Sequence, residues 1–162
     1  MSTDVIEKVI VLKAPIQRVW AAIADAERFG VWFGARFEGP FELGKRIRGR
    51  AVPTEVDDEV AQSQREVEGM PFVCEVEAVE EPSLFALRWN PRHEHATDLD
   101  DHPTTLVTFR LEEVDGGTQL SIRESGFDQF ALTDRSIIRD RNANGWDAQA
   151  KLITAYLARE AQ

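Results

Sequence analysis

Between Val5 and Leu12 the chain reads Val-Ile-Glu-Lys-Val-Ile-Val-Leu and then meets Ala14-Pro15. That pattern predicts a strand followed by a helix with proline in its first turn. Ile16, Val19, Trp20 and Ile23 recur at helical spacing, so an amphipathic helix is predicted over Pro15 to Ala26 with Trp20 on its buried side. The pattern lapses around Phe29-Gly30 and Gly34. Phe37, Gly39 and Phe41 then alternate with charged residues, as do Ile47, Gly49 and Ala51 with Arg46, Arg48 and Arg50, which predicts two antiparallel strands joined near Glu42 to Lys45. Pro53 to Gly69 is polar and acidic and is expected to be a loop. Four further strands follow from the alternation of Phe72, Cys74, Val76 and Ala78, of Phe85, Leu87 and Trp89, of Val107, Phe109 and Leu111, and of Leu120 and Ile122. Asp115-Gly116-Gly117 makes the tight turn before the last of them. Ile137, Ile138, Trp146, Ala150, Ile153, Tyr156 and Leu157 predict one long helix from about Thr133 to Arg159.

A helix of that length must bury its apolar stripe, and the one large apolar surface left for it is the inner face of the sheet. The expected architecture is therefore α+β, a two-layer domain in which an antiparallel sheet of about seven strands carries a long C-terminal helix on its inner face, over residues 1–162. The balance of 19 basic against 29 acidic side chains leaves a net charge of −10. A polyphosphate or an anionic bilayer would be repelled by that field, so neither nucleic acid nor membrane is an expected partner. A single cysteine, Cys74, excludes an intramolecular disulfide and a four-thiolate zinc site. With acids at Asp4 and Glu7 where a secretory leader needs a basic region, the expected location is cytoplasmic.

The aromatic residues Trp20, Trp32, Phe37, Phe41, Phe72, Phe85, Trp89, Phe109 and Trp146 either fill the core or line a ligand cavity within it. Gly145, in the middle of the predicted helix, forfeits ~1 kcal/mol relative to alanine and so suggests close packing or a bend. Alternation from Leu120 and Ile122 carries Glu124 to the inner face. A carboxylate shielded there is a candidate general acid or ligand anchor, or else a strand-end residue that turns to solvent or pairs with an arginine. The segment His93 to His102 holds all three histidines among four acids, but its spacing matches no recognised metal site, and an acidic loop explains it. The row Arg46, Arg48, Arg50 lies on the outer face, where Glu75, Glu77 and Glu112 offer cross-strand ion pairs. Cys74, inward on a strand, is a small buried hydrophobe rather than a nucleophile. No nucleophile elbow, phosphate loop or dinucleotide fingerprint occurs, so no catalytic residue, cofactor or metal is assigned.

Ala14-Pro15-Ile16-Gln17-Arg18-Val19-Trp20 at the first helix, Trp32-Phe33 after it, Ser125-Gly126-Phe127 at the end of the last strand and Gly145-Trp146 in the final helix occur in an order that resembles the SRPBCC or START-like superfamily. This is the helix-grip fold of the birch-pollen allergen. The branch it is most similar to is the C-terminal domain of the activator of the ninety-kilodalton heat-shock protein's ATPase. The resemblance implies a curved antiparallel sheet gripping the long C-terminal helix, with a cavity between them that in many relatives receives an apolar ligand, and no common chemistry. The residues expected to bind that ligand are Trp32, Phe37, Phe41, Phe72, Trp89, Phe109, Glu124 and Trp146. The leading expectation is a non-catalytic binding protein for a small apolar or aromatic molecule. An aromatase/cyclase-like enzyme and a stress-related co-chaperone with a chaperone partner are the alternatives.

Overall fold

The computed structural model describes residues 4–160, so the outermost positions of the expected domain, 1–3 and 161–162, lie outside it. The chain runs β1 (Val5–Leu12), α1 (Ile16–Ala24), α2 (Ala26–Phe33), β2 (Ala35–Phe37), β3 (Arg46–Ala51), α3 (Asp58–Gln64), β4 (Pro71–Glu80), β5 (Leu84–Trp89), β6 (Thr105–Val114), β7 (Gly117–Ser125) and α4 (Leu132–Glu160). The seven strands form one antiparallel sheet in the order β1-β7-β6-β5-β4-β3-β2. The first strand therefore pairs with the last, Leu12 facing Thr118 and Val5 facing Ser125. The sheet curves around the 29-residue α4, which is the expected α+β helix-grip architecture.

Three local expectations are corrected. The helix expected over Pro15 to Ala26 ends at Ala24, and an unpredicted second helix occupies the stretch where the pattern lapses, because Asp25 leaves helical geometry at ψ 117° and its carboxylate accepts from the amides of Glu27 and Arg28, capping that second helix. Gly34, at φ 93°, ends that helix in the left-handed conformation that glycine adopts without penalty. The expected loop over Pro53 to Gly69 contains α3, started by Asp57 through its bond to the Val60 amide, and then a 3-10 turn at Arg65–Val67. The alternation read through Phe41 stops at Phe37; Gly39-Pro40 carries the chain out of the sheet.

Burial follows the predicted alternation. Leu120, Ile122 and Glu124 on β7, and Val107 and Phe109 on β6, face inward and are almost wholly shielded. On α4, Ile138, Trp146, Leu152, Ile153, Tyr156 and Leu157 face the sheet, whereas Ile137, counted in the apolar stripe, points to solvent. Phe29 is the hub of the core, its ring centroid 4.8 Å from those of Trp32 and Phe33 and 6.1 Å from that of Phe109. Among the described residues no helix is long and apolar enough to cross a membrane.

Candidate functional site

The inward row of β7 ends at Glu124, which is completely buried in the layer between sheet and α4. Its Oε1 accepts from the Trp146 indole N–H at 2.8 Å, and its Oε2 accepts from the Trp89 indole N–H at 2.9 Å and the Thr105 hydroxyl at 2.6 Å. The Asn142 side-chain amide donates to both oxygens at 3.0 Å. Among the described residues no lysine or arginine forms an ion pair with it. Every group that reaches the carboxyl is able to donate to it, and its two oxygens are met by four neutral partners instead of a cation. The arrangement ties β5, β6 and β7 to the middle of α4. It neither turns to solvent nor pairs with an arginine, the two alternatives left open by the sequence.

The indoles of Trp89 and Trp146 lie nearly parallel, 5.9 Å apart at 19°, and on their far side the structure opens into a cleft of about 360 Å³. Phe33 from the end of α2, Met70 just before β4, Phe72 at its start and the two indoles supply its apolar walls. Its polar surroundings come from α4, through Arg141, Asn142 and Gln149, and from His93 in the segment after β5. Gly145 opens the α4 wall: a Cβ built there would meet no heavy atom within 4 Å. The close packing expected of this glycine is thus absent, and the missing side chain is what leaves the cleft its width.

Of the eight residues expected at a ligand site, Phe72, Trp89 and Trp146 line this cleft and Glu124 sits directly behind the two indoles. Trp32 and Phe109 are sealed in the core beneath it, Trp32 with its indole N–H bonded to the Ala22 carbonyl at 2.9 Å. Phe37 and Phe41 lie beyond Phe29 on a separate groove beside α1 and α2. Phe33, Asn142 and Gln149 were not among the expected residues. The signal for the last two was helical phase, since they stand four before and three after Trp146 and so share its face.

The arginine row behaves differently from the expectation. Only Arg46 is engaged as foreseen, bonded to Glu75 at 3.0 Å and to Asp100 at 2.6 and 2.9 Å; its guanidinium holds the Asp100 carboxyl below its ordinary range. Glu77 and the second oxygen of Glu75 turn instead to Arg88. Arg48 and Arg50 form no ion pair among the described residues; Arg48 stands opposite Val73 on β4, and Arg50 stands between Pro71 on β4 and Arg36 on the edge strand β2.

In the histidine segment, His95 and His102 stack with centroids 3.7 Å apart, and Asp98 accepts from the amides of Asp100 and Asp101. The acid is spent on its own turn, and among the described residues no three His, Cys, Asp or Glu side chains converge as a metal set. Burial pushes the Cys74 thiol up to about 12. A chromogenic disulfide reagent at mildly alkaline pH should therefore leave the native protein unlabelled over the time that labels the unfolded chain fully; prompt native reaction would show that β4 opens.

The model of the family described as Activator of Hsp90 ATPase homolog 1-like protein matches residues 13–158. No curated protein matches the sequence. Among solved structures, a protein of Mesorhizobium loti is similar over 96% of this chain and 97% of its own at 21% identity and a TM-score of 0.71. A protein of Arthrobacter aurescens is similar over 97% and 87% at 18% identity and a TM-score of 0.72. DynU16, from the dynemicin biosynthetic locus, is similar over 96% of this chain and 47% of its own at 22% identity and a TM-score of 0.67. At these identities the likeness is one of fold.

Proposed function

The chain belongs to the activator of Hsp90 ATPase homolog 1-like family, and from that footing we propose that it binds a small apolar or aromatic molecule in the cleft between the sheet and α4. The observation that carries this reading is the cleft itself: about 360 Å³, within the range of small-molecule sites, walled by aromatic rings and left open by a glycine inside a helix. A helix interior favours alanine or leucine over glycine by up to ~1 kcal/mol, so an open Gly145 is retained at the expense of stability. Space for a ligand accounts for it. Proton transfer by Glu124 is not supported by its setting, because its oxygens are occupied by four donors and it does not line the cleft.

Gly145→Leu tests the proposal. The side chain enters open space and improves helix propensity, so the melting temperature should hold or rise. Binding of a fluorescent anilinonaphthalene sulfonate, or of any apolar arene that competes with it, should weaken by roughly tenfold or more, about 1.4 kcal/mol. Unchanged binding in a folded Gly145→Leu protein would place the probe elsewhere and remove the cleft as the site.

A further inference from the structure

On the outer face of the sheet three exposed arginines stand together with no acid to neutralise them. Ile47 and Gly49 are the buried positions of β3, so Arg48 and Arg50, which alternate with them, lie on the face turned away from α4, about 7 Å apart along the strand. Arg36 on β2 is directly opposite Arg50, about 5 Å away across the antiparallel pair. On the other flank β4 sets Val73 opposite Arg48 and Pro71 opposite Arg50. Arg46, next in the row, is the contrast, held by Glu75 and Asp100. None of Arg36, Arg48 and Arg50 forms an ion pair among the described residues.

Like charges directly opposite each other weaken an antiparallel pair. In a chain with 29 acids against 19 bases, that juxtaposition calls for a reason other than the stability of the sheet. The three arginines line a cavity of about 380 Å³ with Val73 and with Thr97 from the segment after β5. Glu38 also borders it, so three guanidiniums against one carboxylate leave the cavity cationic. Its volume lies within the range of small-molecule sites. Guanidinium forks match oxyanions, and three of them from separate positions suit a group with three terminal oxygens. A phosphomonoester has three; a carboxylate has two.

We infer that this cavity binds a small phosphomonoester, its dianionic phosphoryl group held by Arg36, Arg48 and Arg50 and its carbon skeleton resting on Pro71 and Val73. The site is separate from the cleft beside α4 and does not rest on the function proposed for it. The net negative charge of the chain opposes a long polyanion, whose charges lie over much of the surface. A single phosphoryl group seated among the arginines is governed by them, because charges beyond about 8 Å are largely screened at physiological ionic strength.

The test is calorimetric titration at low ionic strength and about pH 7.5 with phenyl phosphate, a dianion there because its second pKa is about 6. Benzenesulfonate, of the same shape with one charge, is the comparison. Phenyl phosphate should bind saturably with a Kd below about 1 mM, and roughly tenfold or more tightly than the sulfonate. Arg48→Gln and Arg50→Gln should each weaken it by roughly tenfold, and Arg48→Lys, which keeps the charge without the fork, should restore only part of the loss. Without ligand, the melting temperature of Arg50→Gln should hold or rise, since a like-charge contact is relieved. Arg123→Gln, an exposed position on β7 outside the cavity, and Gly145→Leu should leave the affinity unchanged. Equal affinity for the two probes, or a loss no greater at Arg50→Gln than at Arg123→Gln, would reduce the effect to diffuse charge and overturn the site. Binding lost in Gly145→Leu and kept in the arginine variants would put the probe in the cleft and also overturn it. Binding of a phosphoserine peptide with none of phenyl phosphate would overturn the small ester as the ligand.

Discussion

Replacing Glu124 by glutamine is expected to lower the free energy of unfolding by roughly 2–4 kcal/mol, although the change adds and removes no bulk. One carboxylate oxygen faces the Trp146 N–H and the other faces the Trp89 N–H and the Thr105 hydroxyl, with Asn142 between them. A glutamine amide has one oxygen and one NH2, so whichever way it lies it turns a donor against an indole that can only donate. The threonine hydroxyl can rotate to accept; the indoles cannot. Relief from burying a charge works in the opposite direction, and the geometry decides that it does not win, because the neutral replacement leaves a buried indole N–H without an acceptor. Denaturant titration measures it. A loss below about 0.5 kcal/mol would mean that the four donors do not depend on the charge of the residue they surround.

Trp146→Ala should cost more, roughly 4–5 kcal/mol at the upper end of large-to-small core substitutions. The ring packs at 5.9 Å against both Trp89 and Phe109 and at 6.2 Å against Phe33, and only 3% of it is exposed. Its removal also takes one donor from Glu124. Trp146→Phe separates the two contributions, since it keeps most of the packing and loses the N–H; it should cost about 1–2 kcal/mol, and that part should vanish in a Glu124→Gln background. Additive losses in the double variant would show that the indole acts through its packing alone. Because α4 is held at this point, Trp146→Ala should also abolish binding at the cleft, and a stable variant with intact binding would show that the helix is anchored elsewhere.

Much of this was legible in residue order. β6 and β7 alternate cleanly because each has one face on the core and one in water, and Glu124 followed from Leu120 and Ile122 by that rule alone, whereas β4 breaks register between Val76 and Ala78 and β5 buries Phe85, Ala86 and Leu87 in succession. The four groups that engage it were not legible, because Trp89, Thr105, Asn142 and Trp146 come from three elements brought together only by the sheet's register and the lie of α4. The second helix escaped notice since Asp25 acts through a side-chain cap, which interrupts the hydrophobic period instead of continuing it. The cleft was the least legible feature. A period marks which residues face inward, and it does not distinguish Phe109, which is packed on all sides, from Phe72, which borders open space.

The pairing of β1 with β7 has a consequence for how the protein is made. Leu12 cannot meet Thr118 until about a hundred further residues have left the ribosome, which takes roughly 5–20 s at ordinary rates of synthesis. During that interval β2 to β6 can pair in chain order, each with the next, while the oldest part of the chain waits without its strand partner. That waiting strand is Val-Ile-Glu-Lys-Val-Ile-Val-Leu, rich in β-branched residues, with Val9 and Val11 still exposed after folding is complete. Glu7 and Lys8 stand in its middle as the charges that discourage a nascent strand from pairing with its copy on a neighbouring chain. Their value to the protein is thus greatest before the native state exists, in the seconds when the edge of the future sheet is a free end.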